Sequence, residues 1–498
     1  MIRWLSPLLI LMFAASCGGQ PDPGTLRMGL SSAPLNLDPR HATDAASSRV
    51  NRLLYRRLVG FDKNDRPVPD LADWRVLGPT HYRFALREDE AGRRFSNGER
   101  LDIRDVRATL ASILDPATGS PYRSQLEVIE RMAVLDERRM DVFLRQPNPL
   151  FPALMALEIM PADLVRTGHG FHRQPVGSGP FMLEDWPEAG RLRLRRRRDE
   201  RLVELLEVKD PGVRVMKLLR GEIDLLQNDL PPELFGYLGD HSDVRVERRY
   251  GANFTYIGLN LEDSLLSRPL IRRAIAHGID RQAIIRHVLH GAAQPAQALL
   301  PPGHWAGAGD LAPVRHDREL ARSLLNQAGF GPEHPLELEY KTSADPFRVR
   351  LATIIQAQLA RVGIQVKVRS LDWGTFYGDV KEGRFQLYSL TWVGIKTPDH
   401  FRYIFHSDSV PPDGANRGRY RSGEADRLIA QAEAAPDLEG QALHYHRLQH
   451  QLLRDLPYIP LWYEDQMAAL RDNLAGYEPV ADGGWEGLVS IEREPYDG

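Results

Sequence analysis

Between residues 336 and 369 the apolar residues change period from two to about 3.6 and back to two, and no other stretch constrains the fold as much. Leu336, Leu338 and Tyr340 alternate as a strand. Phe347, Leu351, Ile354, Ile355, Leu359 and Val362 fall on one helical face that Gly363 closes, and Ile364, Val366 and Val368 then alternate with Gln365, Lys367 and Arg369. A strand–helix–strand unit lays its helix on a sheet face, which makes the chain α/β. The same punctuation surrounds it. Pro269 opens a helix through Leu270, Ile271, Ala274 and Ile275 that stops near Gly278, and Asp280 caps another with Ile284, Ile285, Val288 and Leu289, ended by Gly291. Leu320, Ala321, Leu324, Leu325 and Ala328 form a helix before Gly329, and Leu438, Ala442, Tyr445, Leu448 and Leu452 a late one before Pro457. In the first half Thr25 to Leu30 is a short strand. Ala46, Val50, Leu53, Leu54 and Leu58 share a helical face, and Tyr82, Phe84 and Leu86 alternate as a half-buried strand.

The N-terminus reads as an export signal. Arg3 precedes the apolar run Leu5 to Ala15, whose 11 residues fall well short of a membrane span, which needs about 20. Ala14, Ala15 and Ser16 lead into Cys17, the only cysteine of the chain. Standing at the cleavage point without a partner, it resembles the acylated cysteine of a bacterial lipoprotein, with Ala14 in the place of the usual leucine; the alternative is ordinary cleavage with Cys17 incidental. Residues 1–16 are then the signal peptide and 17–24 a short tether. The balance of 64 basic against 67 acidic side chains excludes a general nucleic-acid binder, which carries a basic excess.

Several motifs suggest chemistry and lose it on inspection. Arg191 to Arg201 is the densest charge run, but Leu192 and Leu194 alternate with its arginines as in an edge strand with one wet face. Gly177-Ser178-Gly179-Pro180 lacks the lysine and spacing of a phosphate loop and is a turn. His444, His446 and His450 cluster on a helix, yet only His446 and His450 share a face, too few ligands for a metal. There is no G-x-S-x-G and no H-E-x-x-H. The expectation is a protein that is not an enzyme, with no cofactor and no metal.

A resemblance joins these pieces. Leu26 to Trp74 (LRMGLSSAPLNLDPRHATDAASSRVNRLLYRRLVGFDKNDRPVPDLADW) resembles the opening of the peptide/nickel class of ABC-transporter solute-binding proteins, bacterial extracellular solute-binding protein family 5. GSGPFMLEDW, LLRGEIDLL, YIGLNLE, LLNQAGF and LARVGIQVKVRSLDWGTFY follow in that family's order, and the likeness covers about residues 25–470. It implies a two-lobed periplasmic-binding-protein clam-shell of the class C type with an extra subdomain in the first lobe. The first lobe would run from 25 to 262, with the extra subdomain at about 59–175. Residues 263–464 would form the second lobe and 465–498 a return to the first. The crossings would lie near Gly258-Leu259-Asn260 and Pro460-Leu461-Trp462.

Binding without chemistry follows: a monomer on the periplasmic side of the cell envelope, held to a membrane through Cys17, closes on a peptide or peptide-like solute and delivers it to a permease and its ATPase. Backbone pairing would come from Ser31, Ser32 and Ala33 on one lobe and from Thr391, Trp392, Val393 and Gly394 on the other, with Trp392 as a wall. Peptide binders of the family resemble W-x-x-D here, the aspartate meeting the ligand's ammonium. This chain has Ile395 at that position, followed by Lys396, which weakens the case for free N-termini. Lys341 falls about where dipeptide receptors hold the ligand carboxylate, and His400 and His406 lie in the region from which nickel-chelate receptors take a histidine. The alternatives are a non-peptide solute (a metal chelate, sugar or anion), or an envelope lipoprotein acting as sensor, chaperone or hydrolase.

Overall fold

The computed structural model describes residues 24–88 and 93–494; the signal segment, Cys17 and the tether up to residue 23 lie outside them. Among the described residues one large mixed sheet has the order Ile364–Leu371, Leu336–Ser343, Leu387–Trp392, Val244–Leu259, Tyr458–Arg471, Leu225–Gln227, Leu26–Leu30, Leu202–Glu207, Arg191–Arg196, Phe181–Glu188. The strand–helix–strand unit pairs Leu336–Ser343 with Ile364–Leu371 in parallel along its whole length. Its helix is Pro346–Ala360: Asp345 accepts from the Arg348 N–H at the start, and Gly363 takes φ +95° just beyond the end, a conformation that costs residues with a Cβ.

Two strands turn one sheet into two lobes. Val244–Arg249 pairs with Gln466–Arg471, the register then breaks, and Asn253–Leu259 pairs with the Tyr458–Glu464 part of the return strand and with Leu387–Trp392. The cores divide at the same place. Val244 and Ala469 enter a core with Val215, Leu218 and Leu238, and Ala468 and Leu470 one with Leu26, Leu192 and Leu205. Phe254, Tyr256 and Tyr463 enter a core with Phe401 and Tyr445, and Ile257 and Trp462 one with Ile271 and Leu359. At the break the two strands nearly touch. A Cβ on Gly251 would lie 2.1 Å from the Glu464 carbonyl oxygen, so only glycine fits. The expected crossings at Gly258–Asn260 and Pro460–Trp462 lie beyond this break, among side chains of the second-lobe core.

The extra subdomain is an antiparallel sheet ordered Ala72–Gly78, His81–Leu86, Arg139–Leu144, Ile129–Val134, with the helix Ile103–Leu114 on its apolar face. Its core is separate, from Leu58 through Phe84 and Val106 to Ile159. Leu58 belongs here and not to the helical stripe assigned to it, because the helix Ala45–Leu54 ends four residues earlier.

The arginine run is not an edge strand. Arg191–Arg196 is paired on both sides, by Leu202–Glu207 and Phe181–Glu188. Arg191, Arg193 and Arg195 meet Glu204, Asp185 and Glu184 from those neighbours, so the charge is neutralised within the sheet face. Arg196 turns inward and is fully buried. It donates to the carbonyls of Leu488, Val489 and Ile491 and to Asp199, pinning the chain's return onto the first lobe.

Candidate functional site

The loops after strands Leu26–Leu30 and Leu387–Trp392 belong to opposite lobes. Ser31 donates to Asp229 (2.7 Å), Ser32 is exposed, and the Ala33 N–H donates to Glu207 (3.2 Å), so that N–H is already committed. On the other lobe the strand Leu387–Trp392 pairs along one edge with Leu259 to Phe254. On its other edge only Leu387 and Tyr388 find a partner, Tyr340 and Lys341, so the edge of Ser389 to Trp392 carries no strand among the described residues. An open edge of this kind can accept an extended chain. Thr391 shares a hydroxyl contact with Thr255 (2.7 Å), which donates to Glu464 (2.7 Å) beside the strand break. Val393 is 62% exposed, and Gly394 follows at φ +72°.

Two predicted residues sit elsewhere. Ile395 is 5% exposed and packs in the core with Phe401 and Ile404, so the position that aligns with an acid does not face the cleft. An aspartate there would meet an apolar wall. The Lys341 ammonium donates to Asp379 (2.8 Å) and to the Arg384 carbonyl (2.6 Å), tying its strand to the helix Trp373–Glu382 of its own lobe. It is satisfied there and does not reach the first lobe.

The side chain that does cross is Lys396. It pairs with Asp482, on the chain's return through the first lobe, and lies over the Phe61 ring at 5.2 Å. Asp482 also accepts from Arg52 (2.7 Å), whose guanidinium pairs with Glu486 as well. Burial pushes the Asp482 carboxyl up, but Arg52 and Lys396 outweigh it and hold the group far below the usual carboxylate range. Nearby Asp65 behaves oppositely: burial lifts it to about 6 against the pull of Lys396. Three further contacts span the lobes: Arg350 with Glu233, Arg66 with Glu439, and the Trp305 N–H with the Asn64 carbonyl (3.0 Å). His304 donates from Nε2 to the Lys396 carbonyl (3.0 Å) and accepts at Nδ1 from the Ala306 N–H (3.0 Å), and burial lowers its pKa to about 4.

Cavities of about 830 and 390 Å³ lie against this ion cluster, and Arg52, Arg57, Phe61, Lys396 and Asp482 line both. The larger is walled by Arg52, Arg56, Arg57, Lys63, Arg196, Arg197, Arg198, Arg249 and Lys396 against Asp62, Asp65, Asp70, Asp482 and Glu486, an excess of cations. Arg197 donates only to the carbonyls of Arg94 and Gly179 and pairs with no carboxylate among the described residues. The smaller cavity is bounded by Ser48, Arg49 and Tyr122 of the first lobe and by Val393, Gly394, Thr397 and His400 of the second. Behind Trp392 sits Arg417, buried, its guanidinium 4.9 Å from the indole ring and donating to the hydroxyls of Tyr256 (3.2 Å) and Tyr377 (3.1 Å). It has no carboxylate partner among the described residues and is held by aromatic faces instead. His406 stands 3.9 Å from Asp426 in the second lobe and lines neither cavity.

Arg52, Phe61, Asp482 and Arg417 escaped the sequence reading. Asp482 lies 430 residues from Arg52, and no period or motif links them. An isoleucine in place of the loop acid, with Lys396 directly after it, was the one visible sign that a carboxylate comes from elsewhere.

The fold agrees with comparison to known proteins. Residues 66–412 match the family model described as bacterial extracellular solute-binding proteins, family 5 middle. Di/tripeptide-binding protein 2 of Pseudomonas aeruginosa is 27% identical, over 94% of this chain and 95% of its own. The glutathione-binding protein GsiB of Salmonella paratyphi A is 26% identical, over 90% and 91%. Among solved structures, the periplasmic binding protein DppA of Helicobacter pylori in complex with the peptide STSA superposes with a TM-score of 0.74 at 23% identity, covering 95% of this chain and 98% of that one.

Proposed function

This chain belongs to the bacterial extracellular solute-binding proteins of family 5, and on that premise we propose that it captures a peptide-like solute carrying negative charge between its lobes and delivers it to an ABC permease and its ATPase. The observation that carries this reading is the pairing of an open strand edge at Ser389 to Trp392 with a cleft whose walls hold more cations than carboxylates. The edge supplies sequence-independent hydrogen bonds and the cations supply selectivity. Asp482 already faces Arg52 and Lys396, so this carboxylate is committed to the protein's own cations and not to a ligand's α-ammonium. A blocked or carboxylate-bearing end meets Arg197 and Lys396 instead. Relatives named for dipeptides, tripeptides and glutathione fall in the size range that such cavities hold.

In this reading the lobes meet at the strand break, Arg249–Asn253 against Glu464–Gln466, and close by bending there. In this reading the chain binds its solute and releases it unchanged. Acylation of Cys17 would hold it at a membrane beside its permease, raising the local concentration of receptor without new contacts. Cys17→Ser then moves the protein from the membrane to the soluble fraction, and continued membrane association refutes the anchor.

Native mass spectrometry of protein that has never been unfolded tests the ligand class. Co-purified acidic or N-blocked peptides, with thermal shifts for glutathione and N-acetyl dipeptides above those for free basic dipeptides, support it. A preference for cationic peptides, or a single sugar mass, refutes it.

A further inference from the structure

In the sequence His446 and His450 lack further ligands for a metal, and the fold supplies one. Both lie on the helix Leu438–Asp455, four residues apart and on the same face, with ring centroids 5.0 Å apart. Asp310, from the loop that crosses this helix, places its carboxylate between them: His446 Nε2 is 2.8 Å from Oδ1 and His450 Nε2 is 3.0 Å from Oδ2. One donor atom from each of the three residues can be chosen so that all lie within 4.8 Å of one another.

We infer that Asp310, His446 and His450 form a binding site for a late first-row divalent metal ion, Cu²⁺, Ni²⁺ or Zn²⁺, on the outer surface of the second lobe. Imidazole nitrogens with one carboxylate are the donor set that such ions prefer, whereas Mg²⁺ and Ca²⁺ favour all-oxygen sites. The separations fit as well. With metal–ligand bonds of about 2.1 Å, donors at 90° stand about 3.0 Å apart and donors at the tetrahedral angle about 3.4 Å apart. Measured from the one oxygen Oδ1, the His446 and His450 Nε2 atoms stand at 2.8 and 3.1 Å, which match a square or octahedral edge and need only a small opening for tetrahedral zinc. All three side chains are partly exposed, so water can complete the shell. Neither cavity beside Lys396 is lined by these residues, so the site is separate from the solute cleft.

The position gives the ion a structural consequence. Gln449 of the same helix already donates to the Ala306 carbonyl (2.8 Å), and the loop that ends at Asp310 carries His304, against the Lys396 carbonyl, and Trp305, against Asn64 of the first lobe. A metal at Asp310 would fasten the far end of that loop to the helix and stiffen the segment that touches the opposite lobe.

Calorimetric titration of the untagged, chelator-treated protein with ZnCl₂ and then with CuCl₂ tests the site. The expected result is one ion per chain with micromolar affinity, weakened at least tenfold in His446→Ala and in His450→Ala. His444→Ala, on another face of the same helix, binds like the wild type, and melting curves taken without metal show that each variant is folded. The Cu²⁺ adduct should show nitrogen hyperfine structure from two imidazoles in its electron paramagnetic resonance spectrum. Absence of binding at hundreds of micromolar metal, or retention of wild-type affinity in both histidine variants, overturns the assignment.

Discussion

Replacing Lys396 with methionine removes the one lysine that joins the lobes through Asp482 while keeping most of its apolar length over Phe61. Two unit charges about 4 Å apart near a protein surface attract by about 4 kcal/mol at an effective dielectric of 20. Most of that is offset by desolvation, since both side chains are largely withdrawn from water. Asp482 is not orphaned by the change, because Arg52 remains 2.7 Å away. The loss is therefore about 1–2 kcal/mol, a factor of about 5–30 in the ratio of closed to open protein without solute. Small-angle scattering and a fluorescence pair with one dye on each lobe should both report the opening. A cycle of Lys396→Met, Asp482→Asn and the double variant isolates the coupling, expected near 1 kcal/mol. Coupling below about 0.3 kcal/mol, or an unchanged lobe distance in Lys396→Met, refutes the role of this pair in closure.

Gly251→Ala forces a Cβ to within 2.1 Å of the Glu464 carbonyl; the strands must part, at a cost of about 1–3 kcal/mol read as a fall in melting temperature, and an unchanged melting curve shows that the break relaxes freely. His304 is held near pKa 4 by burial, below the roughly 6.5 of an unfolded histidine, so the unfolded chain takes the proton first as pH falls. Its contribution is intact above pH 6.5 and lost by up to about 3 kcal/mol on the way to pH 4, and His304→Gln should flatten that part of the acid limb in urea titrations; an unaltered limb assigns acid lability to other groups. Trp392→Ala uncovers the Arg417 guanidinium at the end of the open strand edge, so under the proposed binding mode solute affinity should fall at least tenfold with the fold retained, and unchanged affinity moves the site elsewhere.

Local physics made parts of the structure readable in the sequence. The strand–helix–strand unit at 336–371 was legible because both of its strands alternate apolar and polar residues; its helix was set by an aspartate cap and a glycine stop at its ends. The arginine run misled because periodicity reveals that one face is wet but not that a strand lies on each side. Arg196 shares the composition of its neighbours, and only the arrival of residues 488–491 tells it apart. The strand break between Arg249 and Asn253 was not legible because its residues carry no period, whereas Gly258 stands in a conspicuous motif. Ile395 could be seen to replace an acid, but which way its side chain turns depends on the backbone at Gly394.

The strand Tyr458–Arg471 lies in the middle of the large sheet, and Trp485 and Leu488 help to fill the core around Leu26. A ribosome has made well over four hundred residues before that strand emerges. Until then the first lobe lacks an interior strand and exposes the surface that the strand will cover, so it cannot settle into its final packing while synthesis is under way. A chain built in this order completes its architecture late, when the last-made strand joins two lobes in a single step.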